Sequence, residues 1–146
     1  MIAWHYTTRQ NFRRILESGA ILCARESARP GEKPVAWFSL NTKFEPTARK
    51  AVREHGVLRT LSVEETYRLG GGLARFGCPL RILKGGESLR KEASIGRQEW
   101  AALLSAGKGQ GSRPSDWFGS IKPVSLSSVL KIEVMGDDMQ WSEFRP

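Results

Sequence analysis

The sequence predicts an α+β protein whose helices and strands are segregated along the chain. Helical patterns are concentrated in the first half, whereas the clearest strand, residues 129–134, lies near the end. That segment alternates apolar and polar side chains with the two-residue period of a half-buried strand. Because the chain shows little strict strand–helix–strand alternation, a doubly wound parallel sheet is not expected.

The chain has 146 residues, which suits one domain spanning residues 1–146. A domain of this size buries roughly 70% of its unfolded surface, so it needs no disulfide or metal to fold. Cys23 and Cys78 are far apart and the chain has two histidines, so no standard zinc site is expected. With no apolar run of membrane-spanning length and no signal-peptide pattern, we expect a cytoplasmic protein with reduced thiols and no membrane partner.

The chain is basic, with 23 Lys and Arg, a formal net charge of +8 and a pI of about 10.0. These cations are spread along the sequence instead of forming one cluster. An anionic partner is therefore expected, either nucleic acid, a nucleotide or an acidic protein face. The alternative is a basic surface that serves solubility alone.

Two strands and a helix open the chain. Residues 2–4 form a short apolar strand, and residues 8–18 form a helix with Thr7 or Thr8 as N-cap and Gly19 as its left-handed stop. Residues 35–39 are apolar and aromatic, as expected of a central strand covered on both faces.

The middle of the chain is expected to be helical. A helix is predicted from about residue 46 to residue 55, with Pro46 at its first position, Glu45 at its positive end and Gly56 as its stop. Ser62 and Glu65 form a capping box that opens a short helix, residues 63–69. The remaining predicted elements are a strand at 73–78, a helix at 98–106 with Trp100, Leu103 and Leu104 inward, a mobile loop at 107–115, and a terminal hairpin of 129–134 with 139–144.

His5 and Ser39 are the first candidate ligand contacts. His5 and Thr7 lie on the same side of an extended strand, a spacing that suits a ribose or an amide. Ser39 ends the second apolar strand, where Trp37 and Phe38 could stack an aromatic ring. The alternatives are a structural hydrogen bond for His5 and a turn or cap role for Ser39.

Asp116 is the preferred candidate acid, because it follows a flexible loop and precedes an aromatic pair. Glu99 is assigned to a solvated helix face, Glu45 to a helix start and Glu133 to an exposed strand position. Arg75 could reach a phosphate from its strand. The triple glycine before that strand is not a phosphate-binding loop, since it follows a helix and lacks the required motif.

Three motifs resemble the opening of ADP-ribosyltransferase-like proteins, including DarT-type nucleic-acid ADP-ribosyltransferases and RNA 2′-phosphotransferases. They are W-H-Y-T, then N-F-R-R-I-L-E-S-G-A-I, then P-V-A-W-F-S, and the late S-D-W-F-G-S-I-K-P-V-S-L-S-S-V-L-K-I-E-V is similar to the family's final segment. The likeness covers both ends of the chain and is vague from about residue 58 to residue 110. It implies a split, strongly bent sheet with helices packed outside.

The resemblance implies NAD as a substrate and assigns a role to several residues. His5 would be catalytic and hold the nicotinamide-side ribose, Thr7 would support it, and Ser39 would line the nicotinamide pocket. The acid position falls on Asp116, where the family usually has Glu. Further cofactor contacts would come from Tyr6, Trp37 and Phe38 by stacking and from Arg75 at the pyrophosphate.

The leading expectation is NAD-dependent ADP-ribosyl transfer to a macromolecule, either nucleic acid or protein, by a toxin or a phage or anti-defence effector. The chemistry is sound, because a carboxylate can stabilise the oxocarbenium-like cation formed when nicotinamide leaves. The alternative is a non-enzymatic basic binding module of the same fold, which the Asp at the acid position favours. RNA 2′-phosphate transfer is a third reading, disfavoured because only two histidines are available.

Overall fold

The computed structural model describes residues 1–145 and has a mixed α+β fold. The α-helices are α1 (Arg9–Ser18), α2 (Val63–Leu69), α3 (Gly86–Glu92) and α4 (Arg97–Gly109). The strands are β1 (Ile2–Thr8), β2 (Ala20–Ile21), β3 (Ala36–Ser39), β4 (Ala51–Glu54), β5 (Val57–Thr60), β6 (Leu73–Pro79), β7 (Lys84–Gly85), β8 (Trp117–Ser120), β9 (Val124–Ser125), β10 (Lys131–Met135) and β11 (Trp141–Glu143).

A seven-stranded sheet with the order β11-β10-β6-β1-β3-β8-β7 forms the centre of the molecule. Its neighbouring strands run antiparallel. The pairs β2–β9 and β4–β5 form two separate two-stranded sheets. The predicted α+β class is confirmed by this antiparallel sheet. The predicted concentration of helices in the first half of the chain is wrong, because β1 to β5 precede α2 and both α3 and α4 follow β6.

Helix α1 forms as the sequence predicted. The Thr8 hydroxyl accepts a hydrogen bond from the Asn11 amide at 3.4 Å, and Gly19 ends the helix with φ of 78°. Phe12 and Ile15 are buried on one face of the helix. They pack into a core that includes Phe76 of β6, a strand buried along its whole length.

The predicted helix over residues 46–55 is wrong. A single 3₁₀ turn, Pro46–Ala48, is followed by the hairpin β4–β5, whose ladder pairs Glu54 with Val57. The two turn residues His55 and Gly56 have φ of 49° and 76°, the left-handed pair that a tight hairpin requires. The helix-start signals at Glu45 and Pro46 are real but serve one turn, and Gly56 is a turn residue instead of a helix stop.

The other elements follow their sequence signals with shifted boundaries. Helix α2 has its predicted capping box, and β10 pairs with β11 as the terminal hairpin. Helix α4 extends to Gly109, so the predicted loop begins later. The expectation that Leu103 faces inward is wrong, since its side chain is 38% exposed and lies on a cavity wall.

Candidate functional site

A cavity of about 390 Å³ opens where β1 and β3 separate. Strand β1 pairs with β6 along seven residues but meets β3 only at Trp4 and Ser39. Beyond that pair the two strands diverge, and aromatic side chains fill part of the gap. The aromatic wall residues are Trp4, Tyr6, Trp37, Phe38 and Trp117, and the polar ones include His5, Ser39, Glu45 and Gln110.

The His5 ring bridges the diverging strands. Its Nδ1 lies 2.8 Å from the Trp37 carbonyl oxygen, so Nδ1 carries the proton and donates it. Burial lowers the pKa of His5, and the positive charge of Lys50 lowers it further, against the raising effect of the bond to Trp37. The ring is therefore neutral at neutral pH, and its Nε2 has no hydrogen-bond partner within residues 1–145. Since buried unpaired side-chain nitrogens are not found there, Nε2 is an accessible acceptor on the cavity wall.

Glu45 supplies the carboxylate of the cavity. Its side chain caps the 3₁₀ turn that begins at Pro46, and the residue is only 6% exposed. Five hydrogen bonds reach the two oxygens, from the Ser39, Thr47 and Ser112 hydroxyls, the Thr47 amide and the Trp117 indole N–H. Donors alone surround this group, which suits an ionised carboxylate whose oxygens only accept.

Trp117 closes one side of the cavity and is held from two directions. Its indole nitrogen donates to Glu45 Oε1 at 3.1 Å. Its six-membered ring lies against the backbone of Gly107 in α4, where an added Cβ would overlap the ring atoms. Gly107 is therefore required by this close approach between the helix and the indole.

Trp37 lines the cavity and packs against two other tryptophan rings. Its ring stacks on Trp100 with centroids 6.3 Å apart and planes 26° apart, and meets Trp117 edge-on at 6.2 Å. Phe38 is 2% exposed, with its ring 5.6 Å from His5, so it supports the histidine more than it offers a free stacking surface.

Ser39 lies in the cavity wall with its hydroxyl already engaged. The hydroxyl donates to Glu45 Oε1 at 2.9 Å and accepts from the Asn41 amide at 3.1 Å. Its role in this structure is to orient Glu45. Any contact with a ligand requires that one of these hydrogen bonds be exchanged.

Arg75 lies outside the cavity lining, in a closed cluster behind it. The strand register places Tyr6, Arg75 and Glu133 side by side on β1, β6 and β10. The guanidinium donates to Glu133 Oε1 at 2.6 and 2.9 Å and to the Thr42 carbonyl at 2.6 Å. It lies 4.0 Å from the Trp4 ring and 4.4 Å from the Trp141 ring. A pyrophosphate contact would require this cluster to open.

Tyr6 connects the cavity with the Arg75 cluster, because it lines the cavity and its hydroxyl accepts a hydrogen bond from Arg75 at 3.2 Å. Its hydroxyl donates to the Asn41 carbonyl. Burial raises the pKa of Tyr6 to about 12, although Arg75 acts in the opposite sense. Tyr6 is therefore a neutral hydrogen-bonding group at any physiological pH.

Thr7 and Asp116 do not line the cavity. Asp116 ends a 3₁₀ turn, Pro114–Asp116, and its backbone carbonyl accepts from the Leu40 amide at 2.9 Å. The next residue, Trp117, is the one that turns inward. The acid that shares the cavity with His5 is thus Glu45, six residues after Ser39.

A second cavity of about 370 Å³ continues from the first. The two share Ser27, Trp37, Leu103 and Ala106 as walls. The lining that the second cavity does not share with the first includes two cations, Arg29 and Lys33, together with Glu32 and Glu99. No carboxylate lies within ion-pair distance of either cation within the described chain.

Sequence reasoning missed Glu45 and Trp117 as parts of the site. The signal at Glu45 was read as a helix start, and its capping bond to Thr47 is indeed present. Its other donors come from Ser39, Ser112 and Trp117, which are distant in the chain. Because these donors are far apart in the sequence, no local sequence pattern predicts that they surround Glu45.

Comparisons with protein-family models, curated proteins and solved structures found no match for this chain. Across residues 1–145, no helix is long and apolar enough to cross a membrane. The same residues contain no group of three or more His, Cys, Asp or Glu side chains placed to hold a metal ion.

Proposed function

We propose that this protein binds NAD in the cavity and transfers ADP-ribose from it to a macromolecular acceptor. The observation that carries the proposal is that the His5 imidazole and the Glu45 carboxylate line one aromatic cavity. A planar nicotinamide ring suits the Trp37 face, and a ribose hydroxyl can donate to His5 Nε2. The cavity falls in the range of about 300–1,000 Å³ typical of small-molecule sites.

The second cavity would hold the rest of the dinucleotide. It shares Trp37 with the first cavity and is lined by Arg29 and Lys33, and such cations suit phosphate oxygens. In this proposal Arg29 and Lys33 contact the pyrophosphate, which is the role that the family resemblance gave to Arg75. The Arg75 guanidinium already donates hydrogen bonds to Glu133 and Thr42. Replacing both Arg29 and Lys33 by Ala is expected to weaken NAD binding by about tenfold or more.

The proposed reaction separates nicotinamide from C1′ of its ribose. The electron pair of that bond leaves with the nicotinamide nitrogen, and C1′ then bonds to the acceptor nucleophile, which releases its proton. Positive charge builds on the ribose in the transition state, as in glycoside cleavage. A fixed carboxylate nearby lowers the barrier by stabilising that charge. Geometry favours Glu45 for this part, whereas the family resemblance favours Asp116.

The test combines binding and turnover. NAD is expected to raise the melting temperature of the protein, and labelled NAD with a panel of nucleic acids and proteins is expected to give transfer of label and release of nicotinamide. Absence of both effects would overturn the proposal. Glu45→Gln and Asp116→Asn form a matched pair, since each converts one carboxylate into an amide. Loss of turnover in Glu45→Gln alone supports Glu45 as the stabilising acid, and loss in Asp116→Asn alone assigns that part to Asp116.

A non-enzymatic binding module is the second candidate. It is favoured by the saturation of Glu45, whose oxygens already receive five hydrogen bonds, and by the position of Asp116 outside the cavity lining. Such a module would use the cavity for a nucleotide and the basic surface for nucleic acid or a protein partner. An NAD-induced rise in melting temperature without nicotinamide release on any acceptor would support this candidate.

A further inference from the structure

The hairpin β4–β5 stands apart from the central sheet and is exposed on both faces. Its two strands pair only with each other, and Val52 is the one residue of the ladder that is half-buried. Val57 and Leu58 are 66% and 63% exposed. An isolated two-stranded ribbon is marginal in water, so two exposed apolar residues on it, one on each face, need an explanation.

The outer edge of β5 has free backbone groups. In a hairpin with a two-residue turn, the pair beside the turn is hydrogen-bonded and the pairs then alternate. The Leu61 amide donates to the Lys50 carbonyl at 2.7 Å, which fixes this alternation at the base of the hairpin. Leu58 and Thr60 therefore point their N–H and C=O groups outward, and these groups find no protein partner within residues 1–145.

The features that usually protect an edge strand are missing from β5. Proteins commonly block such edges with Pro, a bulge or free charges. The one charged residue of β5 is Arg59, and its guanidinium is bound by Glu54 across the hairpin and Glu65 of α2 at 3.0–3.1 Å. Arg59 anchors the ribbon to the body of the protein and leaves its edge open.

The charge around the hairpin specifies the kind of partner. Lys50 and Arg53 have no carboxylate within ion-pair distance in the described part of the chain, whereas the Arg49 guanidinium is held by the Pro46 and Gln110 carbonyls. Arg53 lies directly opposite Leu58 on the ladder. A second copy of this chain, itself at +8, would bring like charges together, whereas an acidic strand would neutralise them.

We propose that β5 is a docking edge for an acidic β-strand of a partner protein. The added strand pairs with the backbone of Leu58 and Thr60 and covers Val57 with its apolar side chains on one face. On the other face, which carries Leu58, it places its acidic side chains toward Arg53. Backbone pairing of this kind supplies affinity, and side chains supply selectivity. Exposed aliphatic side chains beside a free edge favour a protein strand over a single-stranded nucleic acid, which is bound by cations together with aromatic stacking surfaces. Residues 51–60 contain no Phe, Tyr or Trp.

The probe is a capped eight-residue peptide in which valine and glutamate alternate, with a valine–lysine peptide of the same length as its control. The acidic peptide is expected to bind the full chain and to slow amide exchange at Leu58 and Thr60. The basic peptide is expected not to bind. Absence of binding by the acidic peptide, or protection elsewhere than at β5, overturns the proposal.

Leu58→Pro removes an outward N–H without removing a ladder hydrogen bond, since proline is tolerated at such edge positions. It is expected to weaken peptide binding by about tenfold or more. Ala51→Pro makes the same change on the outer edge of β4 and is expected to alter binding by less than about twofold. Equal loss in both variants with an unchanged melting temperature contradicts docking at β5.

A single-stranded oligonucleotide separates the two kinds of partner. If it binds more tightly than the acidic peptide, and Arg53→Glu abolishes that binding while Leu58→Pro does not, the surface is a nucleic-acid strip and the proposal fails. The docking edge is tested without NAD, so its failure is independent of the function proposed for the cavity.

Discussion

Arg75 and Glu45 are both buried charged residues, but their surroundings differ in kind. Arg75 is enclosed by Glu133, the Thr42 carbonyl and two tryptophan rings. Glu45 is surrounded by neutral donors and lines a cavity of about 390 Å³. A buried ion pair such as Arg75–Glu133 holds neighbouring strands in place. A carboxylate that has no cation beside it and lines a cavity can instead stabilise positive charge that develops on a bound molecule. The predictions below test this distinction.

Arg75→Ala is expected to have the largest effect on stability. It leaves the Glu133 carboxylate without its partner and removes the guanidinium that packs against the Trp4 and Trp141 rings. Breaking a buried pair costs about 3–5 kcal/mol, and we expect about 3 kcal/mol because the Glu133 side chain is 17% exposed. Urea unfolding measures the free energy. The control is the double variant Arg75→Met with Glu133→Leu, which should recover much of the loss; equal destabilisation in the double variant would show that the ion pair is not the cause.

Glu45→Ala is expected to lower stability by about 2 kcal/mol, because it removes the shared acceptor of four residues. Glu45→Gln is expected to cost about half as much, since its amide oxygen can still accept from Ser39 or Trp117. Both variants should reduce the NAD-induced rise in melting temperature more than Arg75→Ala does. A larger reduction in Arg75→Ala would reverse the functional distinction between the two clusters.

His5 is expected to make stability depend on pH in a defined direction. Because its pKa in the folded state lies below the ordinary value of 6.5, the unfolded chain binds the proton more readily. The stability that the neutral His5 ring contributes to the folded state is fully present above pH 6.5. It is lost as the pH falls toward the lowered pKa of His5 in the folded state. His5→Asn keeps a side-chain N–H for the Trp37 carbonyl and does not titrate. Unfolding free energies at about pH 7.5 and about pH 5.5 should differ less in this variant; an unchanged difference would contradict a buried neutral imidazole.

Thr7→Ala is expected to have the smallest effect. Thr7 lies on the same strand as His5 but does not line the cavity, so stability should change by less than about 0.5 kcal/mol. The NAD-induced shift should be that of the wild type. A marked loss of the shift would restore the supporting role that the family resemblance gives to Thr7.

Local signals predicted the parts of the fold that local chemistry decides. Thr8 and Gly19 define α1, and Ser62 with Glu65 defines the start of α2. The β4–β5 hairpin was missed because Glu45 and Pro46 are a genuine helix start, and nothing nearby shows that the turn stops at Ala48. The decisive feature was the His55–Gly56 turn, whose left-handed backbone is seen only in the folded chain.

The sequence predicted the strand residues of the candidate site but did not predict the acid that lines it, Glu45. His5, Trp37 and Ser39 occupy strand positions that sequence reasoning could place, and they line one cavity. Glu45 is held by side chains from Ser39 to Trp117, a span that a sequence pattern does not join. From the sequence, Arg75 was interpreted as a free cation on a strand. Its pairing with Glu133 could not be predicted, because it depends on the strand register between β6 and β10.

Gly107 has a consequence for engineering this protein. Alanine in place of glycine within a helix ordinarily adds about 1 kcal/mol of stability, so an automatic choice of stabilising changes would include this position. Here the added methyl group would occupy the volume of the Trp117 indole, and the ring would have to shift away from α4. The same change that strengthens the isolated helix would thus reshape the cavity that Trp117 lines, so helix stability and cavity shape oppose each other at one methyl group.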